Sequence, residues 1–136
     1  MMKKLAPQWI VQDVVETIEF YRDMLGFEVE WVGEPPLFAM LSMGEVVIMI
    51  RALAKPGLLR PNQLPFIEAG WDKSGAQAWD AYIWVDNVEK LYQHCCEKGV
   101  KIVRRVEDMD YGNREFDIED NNGYILCFGQ ALETNK

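Results

Sequence analysis

The densest group of reactive side chains in the sequence is QHCCEKG at residues 93–99, which contains the sole histidine and two of the three cysteines. Histidine and cysteine together are typical of zinc sites and redox centres. A helical metal site needs ligands three or four residues apart, but both residues four positions from His94 are lysines. Adjacent Cys95 and Cys96 diverge by roughly 100° around a helix. The stretch therefore predicts an ordinary helix in which Cys95 belongs to the apolar stripe.

Other groups that could do chemistry are the alternating carboxylates Glu115, Asp117 and Glu119. Acid–base catalysis by them stays open, although alternation of this kind favours the solvent face of a strand. A thiol nucleophile at Cys127 would need a base nearby, and no sequence argument places His94 beside it. The sequence has no Gly-rich phosphate loop and no Gly-x-Ser-x-Gly elbow. We therefore assign no catalytic residue.

The composition limits the class of protein. The chain has 136 residues, of which 49% are hydrophobic and 26% charged, as expected for a globular protein. A net charge of −8 argues against nucleic-acid binding and is compatible with a cationic partner. No apolar run reaches the roughly 18 residues of a membrane span, and no secretory signal is recognisable. Three cysteines without a signal predict reduced thiols and a cytoplasmic protein.

A repeat organises the chain. DVVETIEFYRDMLGFEV, which starts at Asp13, matches DNVEKLYQHCCEKGVKI, which starts at Asp86, at an offset of 73 residues (86 − 13). In each copy the aspartate can cap a helix and the glutamate three residues later can complete a capping box. Gly26 and Gly99 match, and glycine is favoured just after a helix end. The repeat predicts a duplicated unit.

Strand patterns surround both helices. One candidate strand precedes each helix, at 7–12 and 79–85, and three follow it, with Asn122-Gly123 as a two-residue hairpin signal. We therefore predict an α+β fold of two tandem β-α-β-β-β modules, at about 5–51 and 79–131, in one domain of residues 1–136. The segment between them, about 52–78, has three prolines and three glycines and little periodicity, so it is predicted to be a linker. Its residues Leu58, Leu59, Phe66 and Trp71 are too apolar for full solvation.

This architecture resembles the vicinal oxygen chelate superfamily, the group of glyoxalases, bleomycin resistance proteins and extradiol dioxygenases. FYRDMLGF is similar to that family's first helix and its exit. DNNGYILCF looks like the family's usual ending, an Asp-Pro-Asp-Gly turn followed by an apolar strand, with Asn121 in place of the proline. The resemblance covers essentially the whole chain. It implies that the two modules form a curved mixed sheet shaped as a cup.

The resemblance also implies where a metal would sit. The family's metal enzymes use four ligands, usually histidine and glutamate, and these positions fall near Ala6, Met49, Asp80 and Cys127. Of these, Asp80 alone is an ordinary ligand for a hard cation, whereas three protein ligands are usual in catalytic sites. We expect no metal and no cofactor.

Strand alternation selects side chains for the inside of this cup. Two aromatic residues and a carboxylate share one face of strand 79–85, a suitable lining for an amphipathic ligand. The predicted ligand-binding residues are Asp80, Tyr82, Trp84, Gln8, Ile10, Met49, Ile125 and Cys127, with Trp31, Phe38 and Arg114 near the rim. Each aromatic residue taken singly fits a core or dimer interface equally well.

These features favour a metal-free binding protein, similar to the bleomycin-resistance branch, which sequesters cationic antibiotics. Its ligand would be a small molecule, cationic or planar, held by a homodimer. The alternatives are an enzyme of the same superfamily, with a noncanonical metal or with carboxylate chemistry, and a dimeric interaction module whose cup is closed.

Overall fold

The computed structural model describes residues 1–53, 62–74 and 78–133. The chain divides into two compact units, Met1–Leu58 and Leu59–Lys136. Among the described residues, the elements in chain order are β1 (Gln8–Val11), α1 (Val14–Glu19) with a π-helical continuation (Phe20–Met24), β2 (Glu28–Val32), β3 (Phe38–Met43), β4 (Val46–Ala52), α2 (Gln63–Glu68), a 3₁₀ turn (Trp71–Ser74), β5 (Ala81–Trp84), α3 (Val88–Lys98), β6 (Lys101–Asp108), β7 (Asn113–Glu119) and β8 (Ile125–Ala131). No helix in these ranges is long and apolar enough to cross a membrane.

The first unit is a four-stranded mixed sheet with one helix on it. The strand order is β1-β4-β3-β2, with β1 parallel to β4 and the other pairs antiparallel. The side chains on the helix face of the sheet are buried because α1 packs against β3 and β4. The Trp9 indole N–H donates to the Tyr21 hydroxyl at 3.0 Å, which satisfies both polar groups inside this core.

The second unit repeats this topology. Its strand order is β5-β8-β7-β6, with β5 parallel to β8, and α3 packs on β6, β7 and β8. Each unit therefore reads β-α-β-β-β with a mixed sheet, and the predicted α+β class of tandem modules is confirmed.

The helix caps follow the repeat in one module and depart from it in the other. The Asp13 carboxylate accepts from the Glu16 backbone N–H at 2.9 Å, as predicted. The prediction for Asp86 is wrong, because the cap of α3 is Asn87, whose side chain accepts from the Lys90 N–H at 3.1 Å.

The π-helical turn accounts for this shift of one residue. In the first helix the glycine lies 13 positions after the cap (26 − 13), and in the second it lies 12 positions after the cap (99 − 87). A π-helical turn takes one residue more than an α-helical turn, so Phe20–Met24 absorbs the extra residue. Both helices consequently end at the matched glycines, Gly26 and Gly99, whose φ angles are 84° and 76°.

Substitution of Asn87 distinguishes the two candidate caps. Asn87→Ala should lower the free energy of unfolding by about 1 kcal/mol, since a helix N–H loses its acceptor. Asp86→Ala is the matched control and should change it by less than about 0.5 kcal/mol. Urea denaturation measures both values. A larger loss for Asp86→Ala would restore the capping box expected from the sequence.

Two connections differ from their sequence patterns. The segment predicted as an aperiodic linker contains α2 and the 3₁₀ turn. The rings of Phe66 and Trp71 lie edge to face in it with centroids 5.8 Å apart, while Leu58 and Leu59 lie outside the described residues.

The turn between β7 and β8 is longer than predicted. The Asn122-Gly123 hairpin signal predicts a two-residue loop, but three residues separate the paired Asp120 and Tyr124. The Asp120 carboxylate accepts from the Asn122 and Tyr124 N–H groups, which stabilises the longer turn.

The QHCCEKG stretch is helical, as predicted. It forms the end of α3, where Cys95 is buried and Cys96 is exposed. Burial raises the pKa of the Cys95 thiol to about 11, so the thiol stays protonated at neutral pH. Among the described residues, no group of three or more histidine, cysteine, aspartate or glutamate side chains is arranged to hold a metal ion.

Candidate functional site

Three aromatic rings form a row at strand β5 of the second unit. The ring centroids of Trp79 and Tyr82 are 5.2 Å apart, and those of Tyr82 and Trp84 are 4.7 Å apart. Trp84 is 70% exposed and Trp79 is 38% exposed. Alternation along the strand correctly placed Tyr82 and Trp84 on one face. Trp79 was missed because the predicted strand began at residue 79, and alternation along it would place Trp79 on the face opposite to Tyr82. In the structure β5 begins only at Ala81, so alternation does not hold for Trp79.

Residues of β7 and β8 hold the hydroxyl and the ring of Tyr82 in place. Its hydroxyl donates to Glu115 at 2.8 Å and accepts from the Asn113 side-chain N–H at 2.9 Å. Its ring lies over Gly129 of β8, where a Cβ atom would overlap the phenol. Burial, and next the hydrogen bond to Glu115, raise the pKa of Tyr82 to about 12, so the hydroxyl remains protonated at neutral pH.

A buried charge cluster, formed by Arg104, Glu115 and Asp117, contacts the row through Tyr82. Glu115 is 0% exposed and Asp117 is 1% exposed, so the expectation that they form a solvent face is wrong. The physical reason is Arg104 on the neighbouring strand β6. Its guanidinium binds Asp117 through two nitrogens at 3.0 and 2.9 Å and Glu115 at 2.8 Å. Glu119, the third carboxylate of the pattern, is partly exposed and pairs with Lys101 at 2.6 Å.

A β-bulge brings Arg104 to this face. The pairing of β6 with β7 shifts by one residue between Ile102 and Arg104, so that Arg104 lies opposite Asp117. Continuing the register of Ile102 with Ile118 would have placed Arg104 opposite Phe116, whose ring packs against Tyr92 of α3. A shift of one residue moves a side chain to the other face of a sheet. The bulge therefore creates the charge cluster.

Arg104 makes further contacts at the edge of the cluster. One guanidinium nitrogen binds Glu107 at 2.9 Å and the Met109 sulfur at 3.1 Å. Burial acts to lower the pKa of Arg104, but the hydrogen bonds to Asp117 and Glu107 outweigh it and hold this pKa above its ordinary value. The guanidinium is a permanent cation that balances buried carboxylates.

Cys127 lies under the same cluster. It is buried, and an Arg104 nitrogen lies 3.6 Å from its sulfur. Burial, followed by the nearby Asp117 carboxylate, raises the pKa of the thiol well above its ordinary value. The thiol therefore stays protonated and cannot serve as a nucleophile at neutral pH.

The other predicted residues of this unit have different surroundings. The Asp80 carboxylate accepts from the Ile125 backbone N–H at 2.8 Å and so ties β5 to β8. Ile125 is buried. Arg114 points to the helix side of the sheet, where it pairs with Asp108 at 2.6 Å and lies 3.5 Å from Glu89 of α3. The structure thus separates Arg114 from the aromatic row.

The predicted residues of the first unit share one face of its own sheet. Gln8 of β1 pairs with Met49 of β4. Ile10 and Phe38 lie on either side of β4 and both pair with its residue Arg51. A bulge between Val29 and Trp31 brings the Trp31 ring to this face, where it lies 5.8 Å from that of Phe38. Alternation had placed Gln8 and Ile10 on one face of β1, whereas Trp31 and Phe38 were predicted only to lie near the rim.

Comparison with known proteins identifies the family. The family model of the Glyoxalase/Bleomycin resistance protein/Dioxygenase superfamily matches residues 7–128. The chain belongs to this superfamily. A bleomycin resistance protein from Geobacillus stearothermophilus is 27% identical over 135 residues, which cover 98% of this chain and all of the relative.

Solved structures of other proteins share the fold of the chain. TioX from Micromonospora sp. ML1 has a TM-score of 0.73 at 17% identity and covers 96% of this chain and 100% of its own. The bleomycin-binding protein of the bleomycin producer Streptomyces verticillus, in complex with copper(II)-bleomycin, has a TM-score of 0.63 at 18% identity, with 98% of both chains covered. At these identities the likeness establishes the fold.

The metal positions of the superfamily do not fit a metal here. Of the four residues that the resemblance places near these positions, Ala6 has no side-chain donor atom, and Met49 offers a thioether, a poor ligand for hard cations. Asp80 already accepts from a backbone N–H. The Cys127 sulfur lies beside the Arg104 guanidinium, whose charge would repel a divalent cation. We derive no metal-dependent chemistry from this donor set.

Proposed function

We propose that this protein is a metal-free member of the superfamily that binds a planar, cationic small molecule on the aromatic row. The observation that carries the proposal is the row itself, three rings with centroid separations of 5.2 and 4.7 Å that end in the largely exposed Trp84. An indole exposed to this extent offers its face to a flat ligand.

The charges beside the row favour a cation. The single positive charge of Arg104 is paired with three carboxylates, those of Glu107, Glu115 and Asp117, which leaves two negative charges in excess. The whole chain carries −8, which attracts cations at long range. A cationic ring on the Trp84 face gains a cation–π interaction in addition to the area it buries.

The relatives suggest a first probe. The Geobacillus relative is a bleomycin resistance protein, and the Streptomyces protein is a bleomycin-binding protein. Bleomycin is therefore the ligand to test first, and sequestration of such an antibiotic is the biological role that we propose. A homodimer in the cytoplasm is part of the same proposal.

The surroundings of the carboxylates favour binding over catalysis by acids and bases. Glu115 and Asp117 have almost no exposed surface through which they could reach a substrate. Both oxygens of Glu115 accept hydrogen bonds from side chains of the protein. A general base must come within hydrogen-bond reach of the proton that it removes.

Titration with bleomycin tests the proposal. The tryptophan fluorescence of the native protein should be quenched saturably, with one site per chain and no metal required. Trp84→Ala should weaken binding by about tenfold or more, since one stacked ring contributes roughly 1–3 kcal/mol. The matched control is Trp71→Ala, which removes another exposed tryptophan outside the row and should change affinity less than twofold.

Two outcomes would contradict this proposal. Equal weakening by Trp71→Ala would show that the row is not the binding surface. Stoichiometric metal in protein purified without chelators, together with binding that depends on it, would favour the superfamily enzymes instead.

A further inference from the structure

Two tyrosine hydroxyls are committed to one buried carboxylate. The Tyr82 hydroxyl binds one oxygen of Glu115 at 2.8 Å, and the Tyr111 hydroxyl binds the other oxygen. Glu115 is also ion-paired with Arg104, so its carboxylate acts as an acceptor. Each phenol must therefore supply the hydrogen. Both hydroxyl hydrogens consequently point into the protein. One lone pair of the Tyr82 oxygen is also used, by the Asn113 side-chain N–H, so the two hydroxyls offer an outside partner lone pairs and no hydrogen.

The exposed part of this arrangement is Tyr111. It lies in the turn between β6 and β7 and is 55% exposed, whereas its hydroxyl reaches the buried Glu115. Because Tyr82 and Tyr111 bind the two oxygens of the same carboxylate, the Tyr111 hydroxyl lies near the hydroxyl of Tyr82, the middle ring of the row. We call this side of the row its polar end. A ligand that stacks on the row and extends toward this end meets a phenol oxygen that can accept but not donate.

The arginine of the cluster does not supply donors in place of the tyrosines. Its Nε–H binds Asp117, one terminal nitrogen binds Glu107 and Met109, and the other binds Glu115 and Asp117. A guanidinium has five N–H groups, and these contacts, together with the one to the Cys127 sulfur, use all of them. Arg104 therefore cannot receive a carboxylate or phosphate without losing a buried partner.

We propose that Glu115 is a positioning residue for ligand selection: by fixing the Tyr82 and Tyr111 hydroxyls as acceptors, it makes the polar end of the row select ligands that present N–H donors. This inference rests on the proposed function and deepens it. The ligand class is a planar ring carrying an amine, amidine, guanidine or amide N–H at its edge. Planar acids and ligands whose edge carries acceptors alone are selected against, because two facing acceptors leave one another unsatisfied.

A pair of uncharged fragments isolates the effect from the charge of the protein. Indole and benzofuran have nearly the same shape, but indole has a ring N–H where benzofuran has an oxygen acceptor. Each is titrated into ¹⁵N-labelled native protein, and the shift of the Trp84 indole signal, assigned by its loss in Trp84→Ala, reports binding to the row. We expect indole to bind about fivefold to tenfold more tightly than benzofuran, the value of one hydrogen bond.

Two variants test the role of the hydroxyls. Tyr111→Phe keeps the ring, lies on an exposed turn, and should reduce the preference for indole to below about twofold. Glu115→Gln is isosteric. Because Arg104 and Tyr111 donate to the same oxygen of Glu115, the amide nitrogen takes the place of the oxygen that Tyr82 binds. It donates to the Tyr82 oxygen and releases the Tyr82 hydroxyl hydrogen, so benzofuran should gain affinity relative to indole. If Glu115→Gln does not fold by its amide spectrum, Tyr111→Phe decides the question alone.

The outcomes separate this inference from the proposed function. Equal binding of indole and benzofuran to the native protein, with shifts at Trp84, overturns the acceptor end and leaves the row as a binding surface. A preference that persists in Tyr111→Phe and in folded Glu115→Gln also overturns it. Failure of both fragments to shift Trp84 up to their solubility limits counts against the proposed function and, with it, this inference.

Discussion

Arg104→Met should lower the free energy of unfolding by about 3–5 kcal/mol, the range found when one partner of a buried ion pair is removed. The methionine fills much of the same volume but leaves Glu115 and Asp117 buried without their cation. Urea denaturation with a two-state fit measures the loss. Arg105→Met, which changes the exposed neighbouring residue, is the matched control and should stay within about 0.5 kcal/mol of the native protein.

A compensated variant tests whether the loss comes from the unpaired charges. Adding Glu115→Gln and Asp117→Asn to Arg104→Met removes the buried charges and should recover at least about half of the lost stability. A triple variant no more stable than Arg104→Met alone would instead assign the loss to packing of the arginine stem. A loss below about 1 kcal/mol for Arg104→Met would mean that water solvates the carboxylates.

Gly129→Ala should cost about 2–3 kcal/mol of stability, although alanine is ordinarily tolerated in a strand. The added Cβ would overlap the hydroxyl and ring of Tyr82, which lies directly on this glycine. The phenol must then leave its place between Glu115 and Asn113, so its hydrogen bonds are lost together with the packing. Chemical denaturation measures the cost, and the Trp84 indole signal should shift because the adjacent ring has moved.

A double-mutant cycle with Tyr82→Ala tests whether the cost of Gly129→Ala comes from this clash or from a general intolerance of β8 to substitution at residue 129. If the phenol is the obstacle, Gly129→Ala should cost less than about 0.5 kcal/mol in a chain that already carries Tyr82→Ala. Strict additivity of the two substitutions would contradict the contact. The same cycle, read by ligand affinity, shows whether Tyr82 must lie flat on the sheet for binding.

Local patterns predicted the elements and the faces of most strands. The matched Gly26 and Gly99 marked the helix ends correctly, because a left-handed turn has the same glycine preference wherever it occurs. Alternation placed Tyr82 and Trp84 together, since β5 is a regular strand without a bulge. The caps were predicted in one module of two, because the π-helical turn in α1 shifts the count by one residue and leaves no signal in the hydrophobic pattern.

The carboxylates of β7 show where local patterns stop. Alternating acids next to apolar residues usually mark a half-exposed strand, and nothing within β7 distinguishes that case from a buried one. The difference comes from Arg104, which is 13 residues away from Asp117 in sequence and becomes its neighbour through the bulge in β6. Burial of these acids is therefore a property of the pair of strands and of their register.

The sequence by itself determined the duplicated fold, and the structure shows that the two copies share a bulge at equivalent positions. Trp31 and Arg104 follow equivalent shifts in β2 and β6 and are separated by the repeat offset of 73 residues (104 − 31). The tertiary structure alone decided what these positions do. One presents an exposed ring and the other neutralises buried carboxylates, because the bulge turns each side chain toward neighbours that only strand pairing supplies.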